Sequence, residues 1–183
     1  MTPSAHAATV AVLERWRPPT PGQGELREQF LHHLAAHPDG LMRECRPDHL
    51  TASVLVTTRD ASHVLLTLHA KANAWFQLGG HLEPDDADVV AAATREAREE
   101  SGLDGLRVDP VPVHLDVHPV PFCGDGVRHL DVRFVAVADR GTGERAGAES
   151  VDLRWWPAAA LPGGDSSDLR ELVDLARARV LGG

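Results

Sequence analysis

The chain has 183 residues, 43% of them hydrophobic and 25% charged, which fits one globular domain with a core of its own. Eighteen Lys and Arg against 27 Asp and Glu leave a formal charge of −9. This argues against nonspecific binding to a nucleic-acid backbone, which needs clustered basic residues. A small anionic substrate stays open if a divalent cation reverses the local field. Only 4% of residues are aromatic and none is Tyr, so aliphatic and alanine packing must fill the interior.

The first 49 residues read as a helical N-terminal extension. AHAATVAVLERW is a candidate helix, and RPPTPGQG reads as a breaker-rich stretch between helices. ELREQFLHHLAAHPDG spaces Leu26, Phe30, Leu31 and Leu34 at helical intervals before Pro38 to Gly40 end it. From Leu50, in a domain expected over 50–183, the period changes. LTASVLVTT and VLLTLH form a predicted hairpin around RDASH, followed by a loop with one extended piece at WFQL. ADVVAAATREAREE reads as a helix with Asp86 as N-cap and Gly102 just past its end. LRVDPVPVHLDVHPV supplies one or two strands, HLDVRFVAVAD a strand that alternates cleanly, and DLRWWPA a short one. SDLRELVDLARARVL closes the chain as an amphipathic helix capped by Ser167 or Asp168. This order predicts an α/β fold, a mixed sheet with helices on both faces.

Cys45 and Cys123 lie far apart with no CxxC pairing, neither a disulfide framework nor a zinc pattern. Free thiols in a reducing cytoplasm are expected. The N-terminus lacks a basic start with an apolar signal core, and no apolar run approaches the ~20 residues that span a bilayer. A cytoplasmic location with no membrane contact is the expectation.

One helix crowds its acids. At about 100° per residue Glu100 falls about 40° to one side of Glu96 and Glu99 about 60° to the other, so the three point the same way, beside an apolar stripe of Val90, Ala93 and Ala97. Like charges at this spacing repel, and partial burial worsens the repulsion. A hard divalent cation, which takes oxygen ligands and is held together with substrate phosphates, converts that repulsion into attraction. Glu and Arg runs on helices are more often solvated faces. What favours the metal reading is position: Gly79 and Gly80 come shortly before and permit close approach of backbone carbonyls to a ligand.

These residues resemble the signature of the Nudix hydrolase family. That signature runs Gly, five residues, an acid, seven residues, then Arg-Glu-aliphatic-x-Glu-Glu-x-Gly-aliphatic. Gly80 opens it here, Arg95-Glu96-Ala97-Arg98-Glu99-Glu100-Ser101-Gly102-Leu103 closes it, and Glu83 sits where the family often has GGxxE. Asp86 stands in for the usual Glu, Ala97 for the aliphatic residue, and ADVVAAAT spans eight residues where seven are usual. The resemblance covers roughly residues 50 to 162 and implies a Nudix-type α/β/α sandwich. It also implies Mg²⁺ or Mn²⁺ held by Glu96, Glu99, Glu100 and the Gly80 (or Gly79) carbonyl, with Arg95 bridging to the glutamates. The reaction implied is attack by water on a diphosphate in a nucleoside diphosphate derivative, a small-molecule substrate. Its base is a box glutamate or a later acid, for which Glu149 in GAESVDLRWW is the first choice.

Other candidates are weaker. Asp131 could face the cleft from its strand, although a structural ion pair with Arg133 is favoured. His81 and Lys71 could meet phosphate, and Trp75 and Phe76 could stack on a base or simply be core; Trp155 and Trp156, adjacent on a strand, face opposite sides. His69, His114, His118 and His129 are scattered over strands that could line a pocket, without an HExxH zinc motif. The helical extension is expected either to cover the cleft or to make a homodimer interface. Two further classes share the fold: a binding or regulatory module without turnover, against which the intact glutamates argue, and a prenyl diphosphate isomerase, for which the pattern around Cys123 is unpersuasive.

Overall fold

The computed structural model describes residues 4–121, 124–147, 150–163 and 167–182. Among these described residues four helices surround a seven-stranded sheet: α1 (Ala5–Arg15), α2 (Pro21–Ala36), β1 (Asp48–Thr57), β2 (His63–His69), β3 (Ala74–Phe76), β4 (Leu78–His81), α3 (Val89–Ser101), β5 (His114–Pro119), β6 (Arg128–Val137), β7 (Ser150–Pro157) and α4 (Ser167–Leu181). The main path runs β3-β2-β1-β6-β5; β1 and β6 are parallel, and the other pairings are antiparallel. The sheet is therefore mixed, as expected.

Strand β1 organises the sheet. One edge pairs with β6 along its whole length, while the other pairs first with β4 and then with β2. Leu50, Ala52, Val54 and Val56 point to one side, where they join Ala92, Ala93 and Ala97 of α3, Leu13 of α1, Trp16 at its end, and Phe30 and Leu34 of α2. Leu55 points the other way, into a second cluster with Val64, Leu66, Val135 and Leu169, Leu172 and Val173 of α4. Near-continuous burial on both faces is the usual fate of a strand at the centre of such a sheet.

The N-terminal helices share the main core with the sheet. Gln23 fastens them to the outermost strand. Its amide donates to the Leu115 carbonyl (3.0 Å) and accepts from the Leu115 N–H (2.7 Å), so one buried side chain imitates a neighbouring strand. Helix α2 begins at Pro21, inside the stretch read as a breaker. Thr20 caps it, accepting from the Gln23 N–H, and proline is tolerated in a first turn because the N–H it lacks would have no helical partner.

Candidate active site

Strand β4 and helix α3 build the site. At the β1–β4 crossing, Gly79 lies opposite Ser53 and Gly80 opposite Ala52. Helix α3 starts two residues later than Asp86 would place it: Asp88 is the N-cap, accepting from the Ala91 N–H at 2.8 Å. Gly102, with φ of +68°, ends the helix in the left-handed conformation that a C′ glycine adopts at low cost. The buried face carries Ala92, Ala93 and Ala97, whose small side chains bring the helix close to the strands, while Val90 is only partly covered.

Released from capping, Asp86 has another task. Its carboxylate is buried and takes two hydrogen bonds from the Arg95 fork, Nε to Oδ1 at 3.2 Å and Nη2 to Oδ2 at 2.9 Å, with a third from the Glu83 N–H at 2.8 Å. Nη2 also donates to the His81 carbonyl at 2.9 Å. Nη1 reaches Glu96 Oε1 at 2.9 Å and Glu99 Oε2 at 3.4 Å. One guanidinium thus locks the loop after β4 to the acidic helix. Burial works to lower the Arg95 pKa, but its hydrogen bonds to Asp86 and Glu96 outweigh it and hold the pKa above its ordinary value.

Glu96 is the strained acid. Its side chain is 17% exposed, and burial, reinforced by Glu99 and Glu83, raises its pKa despite the Arg95 bond. It lies directly over Gly80: a Cβ on that glycine would come within 2.7 Å of both Cδ and Oε1. Glu100 accepts from the Gly79 N–H at 2.8 Å, whereas Glu99 is 61% exposed. Glycine backbone, Glu96 and Glu100 therefore converge, and Arg95 bridges Glu96 and Glu99. The loop after β6 docks on the same helix end, with Gly147 N–H bonded to the Glu100 carbonyl at 3.1 Å and Arg145 N–H to that of Ser101 at 2.8 Å. Glu149, expected as the base, lies outside the described residues, as does Cys123.

The remaining candidates fall elsewhere. Asp131 is buried with both oxygens engaged, by Thr51 (3.0 Å), Ser53 (2.8 Å), Gln77 (3.3 Å) and Arg133 (2.9 Å). Burial would raise its pKa, but the adjacent Arg133 guanidinium keeps it below the usual carboxylate range. Lys71 is exposed in the turn after β2, and Trp75 packs edge-on against Trp156 with centroids 5.2 Å apart. Neither makes a hydrogen bond or ion pair to the glutamates among the described residues. His81 follows Gly80 and turns its ring towards His49 and His129. His49 did not stand out in the sequence, since only cross-strand pairing brings it to the others. A concavity of about 770 Å³ lies on another flank of α3, lined by residues that include Trp16, Asp88, Thr94, Arg95 and Arg98. None of the three glutamates borders it, so cavity size does not locate the chemistry.

The NUDIX domain model matches residues 47–176, and the chain belongs to that family. It is an enzyme of the Nudix pyrophosphohydrolase class. A NUDIX-family hydrolase from Clostridium perfringens shares 25% identity over 74% of this chain and 98% of its own, with a TM-score of 0.53. An Ap4A hydrolase from C. elegans, solved as a binary complex, aligns over 73% of this chain and 98% of its own at 17% identity and a TM-score of 0.61. The E. coli dihydroneopterin triphosphate pyrophosphohydrolase aligns over 75% and 97% at 16% identity and a TM-score of 0.56. Comparison with curated proteins found no match. No helix among the described residues is long and apolar enough to cross a membrane.

Proposed function

We propose that the chain hydrolyses a diphosphate linkage in a nucleoside diphosphate derivative, using Mg²⁺ or Mn²⁺. The observation that carries this reading is the convergence of Glu96 and Glu100 on the Gly79–Gly80 backbone. The donors fit a hard cation. They are all oxygen, the half-buried Glu96 carries a raised pKa, and one guanidinium faces four acids, Asp86, Glu96, Glu99 and Glu83, at 2.9, 2.9, 3.4 and 3.9 Å, so the acids outnumber it.

In this reading Glu96, Glu99, Glu100 and the Gly80 carbonyl hold the cation. When bound, it supplies Lewis acidity towards phosphoryl oxygens and neutralises the charge that develops there. Arg95 does not replace that function. It holds Glu96 and Glu99 in register while Asp86 fixes its own orientation. Little else is asked of the protein, because phosphoryl transfer is mostly positioning and charge stabilisation. Glu149 is proposed as the acceptor of the proton from the attacking water; its place just before β7 follows the loop docked on α3. Lys71 and Trp75 are proposed for substrate contact, whereas Asp131 is buried with both oxygens bound by Thr51, Ser53, Gln77 and Arg133, and the His81 ring faces His49 and His129. Cytoplasmic location and a homodimer formed through the N-terminal helices are likewise proposals.

The test is a panel of nucleoside triphosphates, ADP-ribose, dinucleotide polyphosphates and coenzyme diphosphates assayed with Mg²⁺ or Mn²⁺. Glu99→Gln and Glu100→Gln are each expected to reduce turnover by orders of magnitude with the fold retained. Turnover unchanged in both would reject the assignment. Binding without turnover would indicate a regulatory module.

A further inference from the structure

We propose that His49, His81 and His129 form a second metal site, ligating a zinc-class divalent ion through three imidazole nitrogens. It does not depend on the diphosphatase reading.

The sheet assembles the site from distant segments. His49 on β1 pairs with His129 on β6, and His81 on β4 pairs with Thr51, two residues along β1 from His49. Directly paired residues, and residues two apart on a strand, project from the same face. All three rings are therefore neighbours. His49 lies 5.2 Å from His81 and 4.9 Å from His129 between centroids, and His81 lies 4.9 Å from His129. One nitrogen of each ring lies within 4.8 Å of the others. Nitrogens 2.0–2.1 Å from a tetrahedral zinc are separated by about 3.4 Å, so small ring movements close the site.

Hydrogen bonding points to an absent ligand. His49 is fully buried, and its Nδ1 lies 3.2 Å from the Cys45 carbonyl. A carbonyl only accepts, so Nδ1 carries the proton and, in the neutral ring, Nε2 presents a lone pair. That Nε2 is buried and has no hydrogen-bond partner among the described residues; the same holds for Nε2 of His81. Orphaned buried polar atoms are costly and rare enough to need a reason. A backbone carbonyl behind one ring nitrogen is the usual way of fixing a metal-bound histidine. Burial also lowers the pKa of all three rings. Arg43 and Arg46 add positive potential nearby, countered by Glu44 and Asp48.

Imidazole selects zinc, copper, nickel or iron over magnesium, so this site and the carboxylate cluster should sort different ions. Three ligands leave a fourth position open in tetrahedral geometry.

The full chain, stripped with chelator and desalted, is loaded with Zn²⁺ in excess Mg²⁺ and examined by X-ray absorption. The expected result is one zinc per chain with three nitrogen scatterers of imidazole type at about 2.0 Å. Co²⁺ as a spectroscopic probe should give tetrahedral bands that persist in the Glu96→Gln/Glu100→Gln double variant. His81→Asn and His129→Asn, checked for fold by circular dichroism, should each weaken zinc binding by at least about 100-fold. Oxygen-only ligation in the unaltered chain would overturn the proposal, whether or not the variants fold. So would zinc uptake that survives the histidine substitutions and disappears with the glutamates.

Discussion

Arg95 and Asp86 are joined by two hydrogen bonds, from Nε at 3.2 Å and from Nη2 at 2.9 Å. The acid that replaces the family's usual glutamate therefore aims the arginine that holds Glu96 and Glu99. Asp86→Ala should lower turnover by about 10- to 100-fold, the usual effect of removing a partner behind a metal ligand. Mn²⁺ affinity should weaken in parallel. A variant with wild-type kinetics would show that Arg95 is held well enough by Glu96 and the His81 carbonyl.

The two box glycines should fail differently. At Gly80 a Cβ would meet the Glu96 carboxylate, the flexible end of a side chain. Gly80→Ala should fold, with a loss of about 1 kcal/mol, yet displace Glu96 and lose activity by about 100-fold or more. At Gly79 a Cβ would lie 2.4 Å from Ser53 Cβ and 2.6 Å from the Ala52 carbonyl, which cannot move without opening the β1–β4 pairing. Gly79→Ala should therefore destabilise the fold by about 3 kcal/mol. Urea unfolding beside an activity assay separates the two outcomes.

Gln23 makes a prediction about the N-terminal helices. Gln23→Ala leaves the Leu115 N–H and carbonyl buried without the amide that served both. Each such group costs about 1–3 kcal/mol, so unfolding should be easier by about 2–4 kcal/mol. Hydrogen exchange at the Leu115 amide should accelerate first. Unchanged protection there would mean that the helices and strand β5 are held together by apolar packing alone.

Acid should weaken the polar face of the sheet. Arg133 pairs with Asp131 at 2.9 Å and with Asp116 at 2.7 Å. Burial would raise both carboxyl pKa values. For Asp116 the His118 bond and Arg133 outweigh it, and for Asp131 Arg133 does, so both lie below 3.8. Because the folded pKa values are depressed, their contribution is complete above the unfolded value. It is lost as pH falls through 3.8 and below, where the folded state must take up protons. Asp131→Ala should cost about 3–5 kcal/mol at neutral pH by leaving Arg133 under-paired. It should also flatten the loss of stability between about pH 5 and 3. Denaturant titrations at both ends check this; equal slopes in variant and wild type would refute it.

Much of the architecture was readable from local pattern. β-Branched residues marked β1, the turn at RDASH marked β2 as its hairpin partner and clean alternation marked β6, while the spacing of Glu96, Glu99 and Glu100 grouped three acids on α3. Local reading misplaced two helix starts. Asp86 and Asp88 are both good caps, and only the tertiary bond to Arg95 decides between them. Likewise, PPTPGQG carries strong breaker residues, yet Thr20 followed by Pro21 is a favourable helix start. The histidines at 49, 81 and 129 had no signature at all, because strand register and not sequence spacing brings them together. Gln23 was equally invisible: a side chain that serves as a strand has no composition signal.

Manganese binding, followed by electron paramagnetic resonance as free Mn²⁺ is depleted, tests the carboxylate cluster most directly. The full chain should take up Mn²⁺, Mg²⁺ should compete for the same site, and Glu96→Gln/Glu100→Gln should abolish uptake while circular dichroism stays unchanged. Mn²⁺ bound with equal affinity by wild type and the double variant, or by neither, would contradict the reading of those glutamates as cation ligands.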